Sequence, residues 1–214
     1  HTQKAAKPNK QIITGADQTS KYLPYLKGKR IGMLVNQTSI IGKSHSVDSL
    51  LKLGVQIKKV FGPEHGFRGN ASNGAKVDDN VDPKTGIPII SLYGKNRKPT
   101  KEHLTDVDLM IFDVQDVGAR FYTYINTLSH VMESCAENGK ELVILDRPNP
   151  HGFCVDGPIL EPHLKSGIGM FPIPITHGMT IGEFAQMING EGWLPNQLKC
   201  KLKIIKLANY THDM

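Results

Sequence analysis

The sequence predicts an α/β fold in three layers, a mostly parallel β-sheet with helices on both faces. Two observations carry this expectation. Short, nearly all-apolar runs alternate with helical stretches along the chain, and each run ends in polar or ionisable residues at its carboxyl end. Strands covered on both faces have no wet side and lose the apolar–polar alternation, and the crossovers joining parallel strands are usually helical.

The elements follow in order. Residues 1–10, with Pro8 and three lysines, read as a disordered basic lead-in, and 11–214 as one catalytic-sized domain. Residues 31–35 form the first apolar run and end at Asn36-Gln37-Thr38; 47–53 carry helical spacing before Gly54. A second strand, 55–61, runs into Gly62-Pro63-Glu64-His65-Gly66, and a third, 87–92, ends at Tyr93-Gly94. The fourth, 107–112, leads into Asp113, Gln115, Asp116 and Gly118. A helix then places Phe121, Tyr124, Ile125, Leu128, Val131, Met132 and Cys135 on one apolar face, with Gly139 as its left-handed cap. The fifth strand, 142–145, ends at Asp146-Arg147-Pro148. Thr180 and Glu183 form a capping-box pattern at the start of a later helix. Finally Leu198, Cys200, Leu202 and Ile204 alternate with Lys199, Lys201 and Lys203, the pattern of an edge strand guarded by lysines.

Composition removes several function classes. No apolar run approaches the ~18 residues of a membrane-spanning helix, so no transmembrane segment is expected. The net charge of +6 lies wholly in residues 1–30, which hold seven cations and one anion; the remaining nineteen of each cancel, which speaks against a nucleic-acid partner. Three cysteines without a CxxC pair point to neither a zinc site nor a disulfide framework. No G-x-G-x-x-G follows the first strand, and Gly42-Lys43-Ser44 lacks the P-loop glycine five positions before Gly42, where Gln37 stands. The serine-hydrolase elbow and His-Glu-x-x-His are also missing.

Ligands of open α/β sheets bind outside the carboxyl ends of the strands. Here those ends carry the acids Glu64, Asp113, Asp116 and Asp146, the equipment of a hydrolase that works with one protonated and one ionised carboxylate. Glu64 stands in a tight turn that offers a carboxylate little to brace. Asp113 and Asp146 are equally suited to capping a helix or fixing a loop, and Asp146-Arg147 to an internal ion pair. Arg68 is close enough to Glu64 in sequence to pair with it or to hold an anionic substrate group. Arg120 and Tyr122 fall off the helical core stripe, Tyr124 falls on it, and His177 precedes a helix where it can face the crevice.

At these residues the chain resembles a known family. The matching stretches are Phe-Gly-Pro-Glu-His-Gly-Phe-Arg-Gly (61–69), Ser-Leu-Tyr-Gly (91–94) with Lys98-Pro99-Thr100, and Phe-Asp-Val-Gln-Asp-Val-Gly-Ala-Arg-Phe-Tyr-Thr-Tyr (112–124). Leu-Asp-Arg-Pro-Asn-Pro (145–150), Gly157-Pro158 and Thr-His-Gly-Met-Thr-Ile-Gly-Glu (176–183) complete them. From about residue 11 onward, the sequence is similar to the NamZ-type exo-β-N-acetylmuramidases, glycoside hydrolase family 171, earlier domain of unknown function 1343. The resemblance implies a Rossmann-like domain without a dinucleotide fingerprint, needing no cofactor and no metal. It implies removal of β-1,4-linked N-acetylmuramic acid from the non-reducing ends of peptidoglycan fragments during cell-wall turnover. The expected location is periplasmic or extracellular, after loss of a signal peptide. The expected partners are muramyl saccharides and a C-terminal domain, absent from this chain, that helps form the cleft.

Carried onto this sequence, the resemblance makes Glu64 the catalytic acid, His65 the residue tuning it, and Asp116 the second carboxylate with Asp113 close behind. Arg68, Arg120 and Arg147 become candidates for the lactyl carboxylate. Asn36, Gln37, Gln115, Tyr122 and His177 become candidates for hydroxyl or acetamido groups. The substrate's own acetamido group remains open as an alternative nucleophile. Two other readings stay open beside it: a non-catalytic muropeptide- or sugar-binding protein using the same crevice, and a metal-assisted hydrolase built on Asp113, Asp116 and His177.

Overall fold

Nine strands and four α-helices, with three short 3-10 helices besides, appear among the residues that the computed structural model describes, 11–64, 66–68, 80–94 and 96–214. In chain order the strands and α-helices are α1 (Thr19–Leu26), β1 (Arg30–Val35), β2 (Ile40–Ile41), β3 (Ser44–His45), α2 (Ser46–Lys52), β4 (Gln56–Gly62), β5 (Asn80–Val81) and β6 (Pro88–Ser91). There follow β7 (Leu109–Asp113), α3 (Tyr124–Glu137), β8 (Glu141–Leu145), α4 (Ile181–Glu191) and β9 (Lys201–Ile205). Among the described residues seven strands form one sheet in the order β5-β6-β4-β1-β7-β8-β9, parallel but for the β5–β6 pair, and β2 and β3 make a separate antiparallel pair. The expectation of a mostly parallel sheet is met. The chain enters at β1, winds outward through β4 and β6, then crosses back to β7 and winds outward the other way. That reversal places a topological switch point, where such sheets bind ligands, at the carboxyl ends of β1 and β7.

The two-residue period of a strand divides the apolar runs between two cores. Leu34, Phe61, Met110, Phe112, Leu142 and Ile144 face α3 and α4, whose Leu128, Met132, Phe184 and Ile188 complete that layer. Met33, Val35, Ile111, Val143 and Leu145 face the other way, onto Tyr22, Leu26, Val47 and Leu50 of α1 and α2. Cys135 is fully buried in the first core, as expected of a packing residue.

Several local expectations hold and three are corrected. Gly139 adopts φ +62° after α3, and Thr180 and Glu183 close both hydrogen bonds of the capping box. The helix after β7, however, begins at Tyr124, and Phe121, read as a core residue, is 53% exposed. The Arg120 amide is committed to Ile175 O (2.8 Å) and the Tyr122 amide to Ala119 O (3.0 Å), so this segment turns before the helix can start. The last strand begins at Lys201, because Asn196 and Gln197 have positive φ in the turn before it. Its lysines do guard the edge: Lys201 pairs with Glu141 (3.0 Å), and Lys203 covers the Tyr25 ring. Helix α1 escaped the sequence reading because Pro24 lies inside it. The lead-in assigned to residues 1–10 lies outside the described residues.

Candidate active site

Glu64 follows β4 in a turn closed by the Gly66 amide on Pro63 O (2.9 Å), and Gly66 has φ +75°, a conformation that favours glycine. The turn carries Glu64 out of the sheet without burying it fully. One oxygen, Oε2, accepts a hydrogen bond from Thr123 Oγ1 (3.0 Å). Thr123 stands at the N-cap position of α3 but gives its hydroxyl to Glu64 rather than to the helix. Leu92 donates its amide to Gly62 O (2.9 Å), so the chain leaving β6 runs beside this turn and brings up Tyr93 and Gly94. These groups line a cavity of about 470 Å³, together with Arg97, Asn126, Thr127, His130, Gly167 and Ile168.

A second cluster lies toward the switch point. Asp116 is buried, with Oδ2 accepting from the Gly118 amide (2.7 Å) and Oδ1 making no hydrogen bond. Gly118 has φ +77°, and a Cβ there would stand 2.1 Å from Asn149 Oδ1, so only glycine fits this turn. His177 is also buried; its Nδ1 accepts from the Met179 amide (3.3 Å), and its Nε2 lies 3.8 Å from Asp116 Oδ2 without a hydrogen bond. Tyr124 connects the two clusters. Burial raises its phenol above the ordinary value, the charges of Glu64 and Asp116 add to that, and the Asn36 side chain partly offsets it. Asn36, at the end of β1, also holds its own loop, accepting from the Thr38 amide (2.9 Å) and hydroxyl (2.5 Å).

Other candidates are used as braces. Asp113 is fully buried and receives Arg147 Nε (2.8 Å), while Arg147 Nη2 donates to Ile40 O (3.0 Å). The ion pair expected within Asp146-Arg147 is therefore made by Arg147 with Asp113 instead. Asp146 accepts from the Gly182 amide (2.9 Å), the Arg147 amide (3.1 Å) and Thr180 Oγ1 (2.8 Å), fixing α4 over the end of β8. Burial pushes its carboxyl upward against those bonds. Arg68 does not pair with Glu64. It forks onto Asp82 (3.0 and 2.8 Å) and reaches Asp48 (3.3 Å). Arg120 donates to Pro158 O (2.7 Å) and Ile173 O (2.5 Å), and Gln115 to Asp116 O (2.7 Å) and Pro148 O (2.6 Å). Gln37 and Tyr122 are exposed, Tyr122 lying against the Phe121 ring at 5.9 Å. His65 lies outside the described residues.

The cavity residues not singled out from sequence include Arg97, Thr123, Asn126 and His130. Arg97 follows Tyr93-Gly94 at a strand end, the criterion that selected the others, and could have been found by it. Asn126 and His130 follow Thr123 at helical spacing on the helix that the sequence predicts, and what marks that stripe is the bond of Thr123 to Glu64, which only the fold makes. Burial lowers the His130 pKa, with the Arg97 and Lys98 charges adding to the shift and Glu133 opposing it.

The fold and this cavity define a doubly wound α/β domain built around a carboxylate at the strand ends. The family described as exo-beta-N-acetylmuramidase NamZ, N-terminal, matches residues 31–214, and the chain belongs to that family. It is 45% identical over 216 residues to the peptidoglycan beta-N-acetylmuramidase NamZ of Bacillus subtilis (strain 168), covering 99% of this chain and 51% of that protein. Two crystal structures of DUF1343 family proteins from Bacteroides fragilis NCTC 9343 share the fold. One is 47% identical with a TM-score of 0.87, over 96% of this chain and 54% of its own. The other is 38% identical with a TM-score of 0.88, over 97% and 53%. The chain thus spans about half the length of the relatives it matches.

Proposed function

We propose that this domain carries the catalytic acid of an exo-acting β-N-acetylmuramidase that releases N-acetylmuramic acid from the non-reducing ends of peptidoglycan fragments. The observation that carries the reading is Glu64, partly exposed in the cavity and hydrogen-bonded at one oxygen by Thr123, in a chain 45% identical to a protein of that activity. In this role Glu64 gives a proton to the glycosidic oxygen as the bond to the muramyl ring breaks. Asp116 is the better second carboxylate, because Asp113 is held by the Arg147 guanidinium whereas Asp116 meets the Gly118 amide and the His177 ring. His177 stands beside Asp116, its Nε2 3.8 Å from Oδ2. A peptidoglycan substrate calls for a periplasmic or extracellular location.

The second half of the full-length protein is the natural partner. The connection from β8 to α4 exposes Phe153, Val155, Ile159, Leu164 and Ile168, an apolar surface suited to a covering C-terminal domain.

The test is release of muramic acid from a chromogenic β-muramide by the full-length protein. Glu64→Gln is expected to remove turnover while sugar binding persists. Unchanged turnover removes Glu64 as the acid, and saturable binding without turnover in the parent protein replaces the enzyme with a sugar-binding module.

A further inference from the structure

The chain has five arginines, and four are committed. Arg30 forks onto Asp108, Arg68 forks onto Asp82 and reaches Asp48, Arg147 gives Nε to Asp113 and Nη2 to the Ile40 carbonyl, and Arg120 holds two backbone carbonyls. Arg97 is the remaining one. Among the described residues its guanidinium forms no ion pair, and it lines the same cavity as Glu64. Its acidic neighbours on α3 do not compete for it, because Lys98 holds Glu133 (2.5 Å) and Glu137 (2.9 Å).

The position of Arg97 is built by its surroundings. A Cβ on Gly167 would stand 3.2 Å from Arg97 Nη1, so the missing side chain lets the guanidinium lie close against that backbone. Gly167 is itself tied to α3, its carbonyl accepting from Asn126 Nδ2 (2.9 Å), and a tight turn closes between Ser166 and Gly169 (2.9 and 3.1 Å). A planar fork of donors with no internal ion-pair partner among the described residues, on the wall of a cavity that Glu64 lines, suits a ligand that brings a carboxylate of its own.

We infer that Arg97 forms a carboxylate subsite in the Glu64 cavity and receives the lactyl carboxylate that distinguishes N-acetylmuramic acid from N-acetylglucosamine. The inference rests on the muramidase reading and replaces the three arginines that the sequence offered for this task. Arg68, Arg120 and Arg147 each hold a carboxylate or a backbone carbonyl of the fold, whereas Arg97 holds none among the described residues. Specificity for the sugar acid then arises from one charge-assisted contact, while hydroxyl and amide groups shared by both sugars are met elsewhere in the cavity.

Two measurements on the full-length protein separate this proposal from the reading beneath it. Calorimetry with free N-acetylmuramic acid and N-acetylglucosamine is expected to show about a 10- to 100-fold preference for the acid, the range of a hydrogen bond to a charged group. Arg97→Ala abolishes that preference and Arg97→Lys keeps part of it, a point charge replacing the fork. A preference that survives Arg97→Ala, or its absence from the parent protein, overturns the proposal. Turnover of paired chromogenic muramide and glucosaminide gives the second measurement. Arg97-dependent binding without any turnover keeps the subsite and removes the muramidase reading. Turnover with an unaltered muramide preference in Arg97→Ala keeps the muramidase and removes the subsite.

Discussion

Glu64 and Asp146 stand just past parallel strands of the same sheet, and the fold treats them in opposite ways. Helix α4 begins directly over Asp146 and takes both of its oxygens, one through the Gly182 amide and the other through the Thr180 hydroxyl, while the Arg147 amide adds a third bond. A Cβ on Gly182 would stand 2.9 Å from the Asp146 carboxyl carbon, so the helix start is pressed against the acid. The start of α3 gives Glu64 a single hydroxyl and leaves the rest of the carboxylate to the cavity. The arginines repeat the contrast: Arg147 is 7% exposed and locked to Asp113, whereas Arg97 is exposed and unpaired among the described residues. What separates brace from site is the hydrogen-bonding capacity left over after folding.

The largest effect should come from Glu64→Gln, which is expected to lower turnover by about 1,000-fold or more while leaving stability within about 0.5 kcal/mol. Chromogenic assay and urea denaturation check the two halves, and a large loss of stability would erase the contrast. Arg147→Met is expected to act the other way, destabilising by about 3–4 kcal/mol in the same denaturation because Asp113 is left buried without its counter-charge. Next comes Asp146→Ala, at about 2–3 kcal/mol, because the Gly182 amide and the Thr180 hydroxyl lose their acceptor.

Thr123→Ala tests how much the single hydroxyl matters. About a fivefold fall in kcat is expected, equivalent to ~1 kcal/mol, with KM little changed and Thr123→Ser restoring most of it. The smallest effect concerns acid stability. The Arg68 fork holds the Asp82 carboxyl below the usual carboxylate range, burial opposing it. A folded pKa below the unfolded value contributes stability that is present above the unfolded value and lost as pH falls through the folded one. Arg68→Met is therefore expected to flatten the decline in stability below about pH 4, by about 1 kcal/mol in denaturation series from pH 5 to 2.5.

Much of the candidate site was legible because strand ends announce themselves. Apolar runs marked five of the sheet strands, and the residues following them included Glu64, Tyr93, Asp113, Asp116 and Asp146. The division of labour among those residues was not legible. Arg68 lies four positions from Glu64, which suggested a pair, yet its partners Asp48 and Asp82 are distant in sequence and meet it only in the fold. Thr123 looked like part of a helix that in fact begins one residue later, so its hydroxyl drew no notice.

By itself, then, the sequence determined the layering, the sheet type and the edge along which polar groups collect. Those follow from hydrophobic periodicity and turn chemistry, which act between residues near one another along the chain. It also determined the family, through long motifs kept in order. Only the tertiary structure decided which acid is spent and which remains open, and which of the five arginines keeps its charge available. Hydrogen bonds saturate, and whether a strand-end group has capacity left depends on which distant helix or loop the fold brings over it.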